Sequence, residues 1–524
     1  MSGTARGGGA MGTAINRRDF VKAGVAAGLS AGVVRAAGAA SHPDVIVIGA
    51  GLSGLNAMLL LEELGVRAIC LEGRERPGGR LLSEPNVAGN PEWGGDSILG
   101  AYARMQDTAS RLDIPLIDHH ARRDMSPEAH RDPARVELAL GGQVIPRDEW
   151  PTHPLNDMPA GARDRFPGRG YYQSVIAQHN PLASFADWVE PESVQYDGSA
   201  YEFFKELGWS DAAIELNYNT NVQYGTSAHD VSMLMWYFVQ AWFKLQSDVA
   251  RVAYKVEGGN ERFTDAMANA LNGEVHFGKR VIGIRNNESD VEVHCHDGSV
   301  YRAARVICSL PIPTMRWVKF DPLLPPAKAK AIQTVQVQKI TKVIMVPTSP
   351  FWEEDGLNPA MWTDTDAGEI RALREGEDSN SVTCLMAWAR GHLADRLDTL
   401  GHEGGMTQVL SAYEQLRPAA KGKLELAGAK SWQTDPFAGG DWAIWAPGQV
   451  IECLPALIEP AGHIHFCGEH AATANRGMEA RWSPASGSPS RSGTCSRALR
   501  GAPANCRPTG YRTRNGSRSV LYGS

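Results

Sequence analysis

The sequence predicts an α/β protein: a Rossmann-like domain interrupted by an inserted α+β domain. Three observations carry this expectation. Residues 44–72 read strand, glycine turn, helix, strand, which is a complete βαβ unit. Its glycines fall at Gly49, Gly51 and Gly54, the spacing of a dinucleotide-binding turn. The chain of 524 residues is long enough for a second domain, and its middle stretches carry a different pattern.

Bulk properties remove several function classes. The formal net charge is −7, whereas a nucleic-acid binder needs a basic surface, so no nucleic-acid partner is expected. No apolar run of about 20 residues occurs, so no membrane span is evident. The eight cysteines are scattered without a Cys-x-x-Cys pair, which predicts neither a zinc site nor a disulfide framework.

Residues 1–40 read as an address. Asn16-Arg17-Arg18-Asp19-Phe20 precedes a weakly apolar, small-residue stretch, and Ala37-Gly38-Ala39 offers a cleavage site. This resembles a twin-arginine export signal and implies an exported protein, periplasmic or secreted, with the twin-arginine machinery as a partner.

The glycine turn follows the strand Asp44–Ile48. Gly49 permits the tight turn, Gly51 lets backbone approach a pyrophosphate, and Gly54 lets helix and strand pack. The helix spans Leu55–Leu64, and its N-terminus presents free N–H groups to phosphate, with Ser53 of the preceding turn beside them. Gly65 ends it. Val66–Leu71 forms the second strand, and Glu72 closes the unit as the acceptor for ribose hydroxyls.

Next comes Arg74-Glu75-Arg76-Pro77-Gly78-Gly79-Arg80, and then Trp93-Gly94-Gly95-Asp96. Val256–Asn260, Lys279-Arg280-Val281, Val306–Pro311 and His465-Phe466-Cys467-Gly468-Glu469-His470 follow in order. Together these resemble the flavin-containing amine oxidase superfamily over residues 43–480. The resemblance implies a glutathione-reductase-like, Rossmann-like FAD-binding domain made of residues 41–120, 251–310 and 431–480. The substrate domain would be 121–250 and 311–430.

It also implies roles. Arg74 and Arg80 would sit by the ribose and diphosphate, with Gly79 allowing close approach. Gly94 and Gly95 would lie beside the isoalloxazine. Val281 would bracket the adenine, Gly468 and Glu469 would approach the ribityl chain, and Trp432 and Met478 would border the flavin. Lys342 stands ten residues before Trp352, at the spacing of the family lysine that holds a water against flavin N5. Trp442 matches one wall of the aromatic cage that orients the amine.

The implied reaction is hydride transfer from the C–H beside nitrogen to flavin N5, imine hydrolysis, and reoxidation by O2 to give H2O2. A small-molecule amine and O2 or another acceptor would then be the partners, with a homodimer left open. A desaturase or dehydrogenase of the same superfamily remains the alternative.

Three departures from the family pattern matter. Asp441 stands where mammalian-type monoamine oxidases place the flavin-bonded cysteine, so FAD should be non-covalent. Gly477 stands at the second cage wall. Ser97 stands where snake-venom-type L-amino-acid oxidases place a carboxylate-binding arginine, which counts against an amino-acid substrate.

In the insertions, Pro146–Pro167 predicts loops and Ser199-Ala200-Tyr201-Glu202 a capping box. Met233–Leu245 predicts an aromatic core segment, Lys342–Val346 a strand and Met406–Leu416 a helix.

Residues 481–524 read differently. Arg481–Ser524 holds eight arginines, no lysine and no acid. Deleting one G from codons for the family's Glu-Gly-Ala-Leu-Glu-Ser-Gly-Glu-Arg yields the observed Glu-Ala-Arg-Trp-Ser-Pro-Ala-Ser-Gly. The expectation is a disordered, frameshifted tail and, as a third functional alternative, a flavoprotein inactive because its last helix is lost.

Overall fold

The structure, a computed structural model, describes residues 42–118, 136–374 and 381–480. The export signal and the tail after Ala480 therefore lie outside the described residues.

The expected βαβ unit is present as β1 (Val45–Ile48), α1 (Leu52–Glu63) and β2 (Ala68–Leu71). All four β1 residues are buried, as an inner strand of a parallel sheet requires. The helix begins at Leu52 rather than Leu55, so Gly54 falls in its first turn, and Gly65 (φ +72°) ends it in the left-handed region.

Five parallel strands form the sheet, in the order Ile464–Phe466, Arg305–Cys308, β1, β2, Val275–His276. Ile46 sits opposite Val306 on one side and Ile69 on the other. The dinucleotide sheet is thus woven from three distant parts of the chain. A four-stranded sheet, Val300–Ala303, Val291–Cys295, Val281–Asn286 and Lys319–Asp321, starts at Val281.

A second large sheet has seven strands, in the order Leu424–Ser431, Ile340–Pro347, Cys384–Arg390, Glu369–Leu373, Met361–Thr363, Glu137–Leu140, Gln143–Ile145. It is antiparallel except where Met361–Thr363 runs parallel to Glu137–Leu140. The Lys342–Val346 strand extends to Ile340–Pro347, and the Met406–Leu416 helix starts earlier, at Gly401. Glycines weaken the sequence signal for that first turn. Packing explains one of them: a Cβ on Gly405 would lie 3.0 Å from the Leu397 carbonyl oxygen of the neighbouring helix.

Ser199 caps the helix Ala200–Glu206, with Glu202 N–H donating to Ser199 Oγ at 3.1 Å and Ser199 N–H donating to Glu202 at 2.9 Å. The aromatic stretch is the helix Met233–Val249. Its Trp236, Tyr237, Phe238 and Trp242 are core, while Phe243 is exposed.

Candidate active site

The three glycines of the turn do three different jobs. Gly49 has φ +99°, and its N–H donates to the Leu71 carbonyl at 2.8 Å, which closes the turn against β2. A Cβ on Gly54 would lie 1.8 Å from the Gly49 carbonyl oxygen, so only glycine lets α1 pack here. A Cβ on Gly51 would meet nothing within 4 Å. That position faces open space, which leaves room for a close approach from outside the chain.

Glu72 ends β2 and is buried. One carboxylate oxygen accepts the Ala50 N–H at 2.7 Å and the other accepts the Arg74 N–H at 2.9 Å. Burial pushes its pKa up, and those two amides and the arginines nearby oppose the shift. The carboxylate therefore fixes the glycine turn as well as offering lone pairs outward. Arg74 donates to Asp435 at 2.6 Å and lies over the Phe437 ring, 5.0 Å from its centre. Arg80 is buried, 3.6 Å from the Glu469 carboxylate.

One cleft gathers these groups. Gly49, Gly51, Ser53, Glu72, Arg74, Gly79 and Arg80 line it from the first block, Val281 from the second, and Gly468 and Glu469 from the third. The free N–H groups at the start of α1, the open Cβ position of Gly51 and two guanidiniums fit the pyrophosphate of a dinucleotide. Glu72 and Val281 line the same cleft.

Gly94, Gly95, Trp432 and Met478 do not line this cleft. They meet at the segment Trp93–Gly95. Trp432 N–H donates to the Trp93 carbonyl at 2.9 Å. A Cβ on Gly94 would lie 1.7 Å from the Arg80 carbonyl oxygen, and one on Gly95 would lie 2.9 Å from Met478 Sδ. Lys342 reaches the same segment: its Nζ donates to the carbonyls of Glu92 at 2.9 Å and Gly94 at 3.3 Å. Lys342 is 2% exposed, whereas Lys339 pairs with Asp395 in a half-exposed position. Burial pushes the Lys342 pKa down to about 8, against the pull of Asp96 and Asp441. Glu92 beside it is pushed up to about 8 by burial, opposed by Lys255 and the Asn260 N–H.

Trp442 meets Tyr224 edge to face, with ring centres 5.8 Å apart and planes at 80°. The Arg476 guanidinium lies 4.8 Å above the Tyr224 ring. A Cβ on Gly477 would lie 2.7 Å from the Tyr102 hydroxyl, so that position is closed to a larger side chain as the chain now stands. Tyr224 is the aromatic neighbour of Trp442 that sequence reasoning missed. Asp441 anchors its segment through its own N–H, which donates to the Gln338 carbonyl at 2.8 Å. Ala443 N–H donates to Glu469 at 2.8 Å, tying this segment to the dinucleotide cleft.

Two further contacts carry no local sequence signal. Glu479 accepts the N–H groups of Arg104 at 3.1 Å and Met105 at 3.2 Å, capping the helix Ala103–Arg111 from the far end of the chain. Glu369 gathers Arg169, Arg371 and Arg390 around one carboxylate.

Comparison with known proteins places this geometry. The family model for flavin containing amine oxidoreductase matches residues 52–480. "Amine oxidase [flavin-containing] B" of Sus scrofa is 24% identical over 455 residues, covering 83% of this chain and 82% of that protein. An L-amino-acid oxidase of Demansia vestigiata is 24% identical over 457 residues, covering 83% and 84%. Among solved structures, cyclohexylamine oxidase from Brevibacterium oxydans IH-35A shares the fold, with a TM-score of 0.64 at 19% identity over 84% of this chain and 96% of that one. A putrescine oxidase bound to putrescine has a TM-score of 0.63 at 20% identity and the same coverage. With the family matched from the first turn of α1 to Ala480, this chain belongs to the flavin-containing amine oxidoreductases, and its cofactor is FAD.

Proposed function

We propose that this chain oxidises a small primary or secondary amine with non-covalent FAD and passes the electrons to O2. Bound FAD supplies the two-electron acceptor: the substrate gives up the hydride beside nitrogen, water hydrolyses the resulting imine, and O2 takes the electrons to form H2O2. The observation that carries the reading is the buried Lys342 ammonium, held between the carbonyls of Glu92 and Gly94. A desolvated cation there favours negative charge that develops on its neighbours. Trp442 and Tyr224 supply apolar and π surface to orient the amine in its neutral, reactive form. Asp441 in place of a cysteine supports the absence of a covalent flavin link.

Export by the twin-arginine route belongs to the same proposal. It rests on residues 1–40 and suits a protein that acquires a cofactor before transport. The shifted-frame origin of residues 481–524 is supported by the family match ending at Ala480.

The test is a peroxide-coupled amine screen on the purified chain, beside a version with the family reading frame restored after Glu479. Peroxide in step with amine consumption, greater in the restored version, is the expected result. Dye reduction by a cyclic alkene precursor, with no peroxide from any amine, would replace amine oxidation by desaturation. An inactive chain beside an active restored version would assign the loss to the tail.

A further inference from the structure

We propose that Trp317 is the platform on which the adenine of FAD stacks, with the Thr314 hydroxyl as its polar companion. The proposal concerns the cofactor and stands independently of the amine-oxidation reading.

Trp317 is the one exposed tryptophan among the described residues, at 75%. A large apolar ring left in water forgoes the free energy of burial, so its placement calls for a reason. The local chain shows how it is held there. The strand Arg305–Cys308 leads through Ser309-Leu310-Pro311 into the short helix Ile312–Met315, and the strand Lys319–Asp321 follows. Met315 and Val318 are buried in the core on either side of the indole. The Trp317 N–H donates to the Thr314 carbonyl at 3.1 Å, and the Val318 N–H donates to the Met315 carbonyl at 3.1 Å. Arg316 is tied down twice, with Nε donating to the Ile332 carbonyl and Nη2 to the Val335 carbonyl, each at 2.8 Å. The backbone is thus fixed around residue 317. Its neighbours fill the core, and the indole is left outward.

Outward here means towards the cleft. Thr314 and Trp317 line the same cleft as Gly49, Gly51 and Glu72. The free N–H groups of α1 fix the pyrophosphate of FAD in that cleft, and the cofactor extends from there in two directions. Gly94, Gly95 and Trp432, which the family pattern assigns to the flavin, lie outside it. The end of β2, the segment Lys279–Val281 and the turn Ser309–Trp317 are therefore left to the adenosine half.

The chemistry of the turn suits that half. An indole face stacks on a purine without any hydrogen bond, and an exposed, immobilised ring does so at little ordering cost. Thr314 Oγ1 is buried and has no hydrogen-bond partner. Adenosine brings partners for it, in its ring nitrogens and its ribose hydroxyls. FMN has no adenine, so a platform at Trp317 also selects FAD over FMN.

The test uses the full chain freed of FAD. Calorimetric titration compares FAD, ADP and FMN. ADP should bind saturably and compete with FAD. Trp317→Ala should weaken FAD and ADP by the same factor, about tenfold or more, and Trp317→Phe should recover most of the loss. ADP should also quench part of the tryptophan emission, and that part should be missing in Trp317→Phe. Thr314→Val should weaken ADP several-fold without lowering the Tm of the apoprotein. Because Trp317 is exposed, the Tm of its variants should stay at the native value, which separates lost binding from lost folding. FAD affinity unchanged in Trp317→Ala overturns the proposal. So does weaker FMN binding with ADP unaffected, which would move the ring to the flavin side. Unchanged nucleotide affinity with a dimer lost in light scattering also overturns it, and gives the indole to a subunit contact.

Discussion

Lys342 and Trp388 sit opposite each other across paired antiparallel strands, with the ammonium 4.2 Å from the centre of the indole. The ring covers a charge that burial has already made costly, and this gives Lys342 a measurable signature. Its pKa is about 8 in the fold, against roughly 10.4 in an unfolded chain. Between those values the unfolded chain binds more protons, so stability rises with pH there, by up to about 3 kcal/mol. Urea unfolding of the apoprotein at pH 7, 8.5 and 10 should show a rise, and Lys342→Met should lose this part of it while keeping the part due to Lys328, whose pKa burial lowers to about 7. Parallel profiles would refute the assignment.

In turnover, Lys342→Met should slow flavin reoxidation by O2 by about 10²-fold and substrate reduction much less. Stopped-flow separates the two half-reactions. Equal effects on both would remove Lys342 from the oxygen step.

Gly51 and Gly54 should separate cofactor binding from folding. Gly51→Val points into open space, so apoprotein stability should change by less than about 1 kcal/mol while FAD is no longer retained. Gly54→Ala drives a Cβ to 1.8 Å from a main-chain oxygen and should cost about 3 kcal/mol or more before any cofactor is added. Thermal melts of the apoproteins and the yellow colour of the purified holoproteins read the two effects apart.

Glu72→Ala should do both. It frees the Ala50 and Arg74 amides, at about 1–3 kcal/mol, and removes the ribose acceptor. FAD affinity, followed by flavin fluorescence quenching, should fall about 10²-fold. A variant with unchanged affinity would leave Glu72 a purely structural brace of the turn.

Glu479→Ala should destabilise the fold by about 1–3 kcal/mol by orphaning the Arg104 and Met105 amides. Hydrogen exchange should accelerate at those two amides first. Unchanged protection there would show that the helix Ala103–Arg111 does not depend on this cap.

The sequence was legible where function imposes a fixed local spacing. Gly49, Gly51, Gly54 and Glu72 fall within one βαβ unit, and Lys342 lies a fixed distance from Trp352, so neighbouring residues alone nominated them. The capping box at Ser199 was equally local. The partners of these residues were not legible. Arg74 finds Asp435 361 positions away, and Glu369 finds Arg169 across 200 residues. Such pairs are made by sheet topology, which leaves no periodicity in the chain. The arginine cluster was hidden for the same reason: each arginine alone reads as an ordinary surface charge.

The sheet order sets a timetable. Ile464–Phe466 lies beside Arg305–Cys308, which lies beside Val45–Ile48, so this sheet joins the earliest described strand to the latest. At about 5–20 residues per second, a ribosome separates their emergence by roughly 20–80 s. Until Glu469 has been made, Arg80 has no carboxylate beside it and the cleft has no third wall. The cleft is therefore completed late, once the segment around Glu469 has joined the sheet.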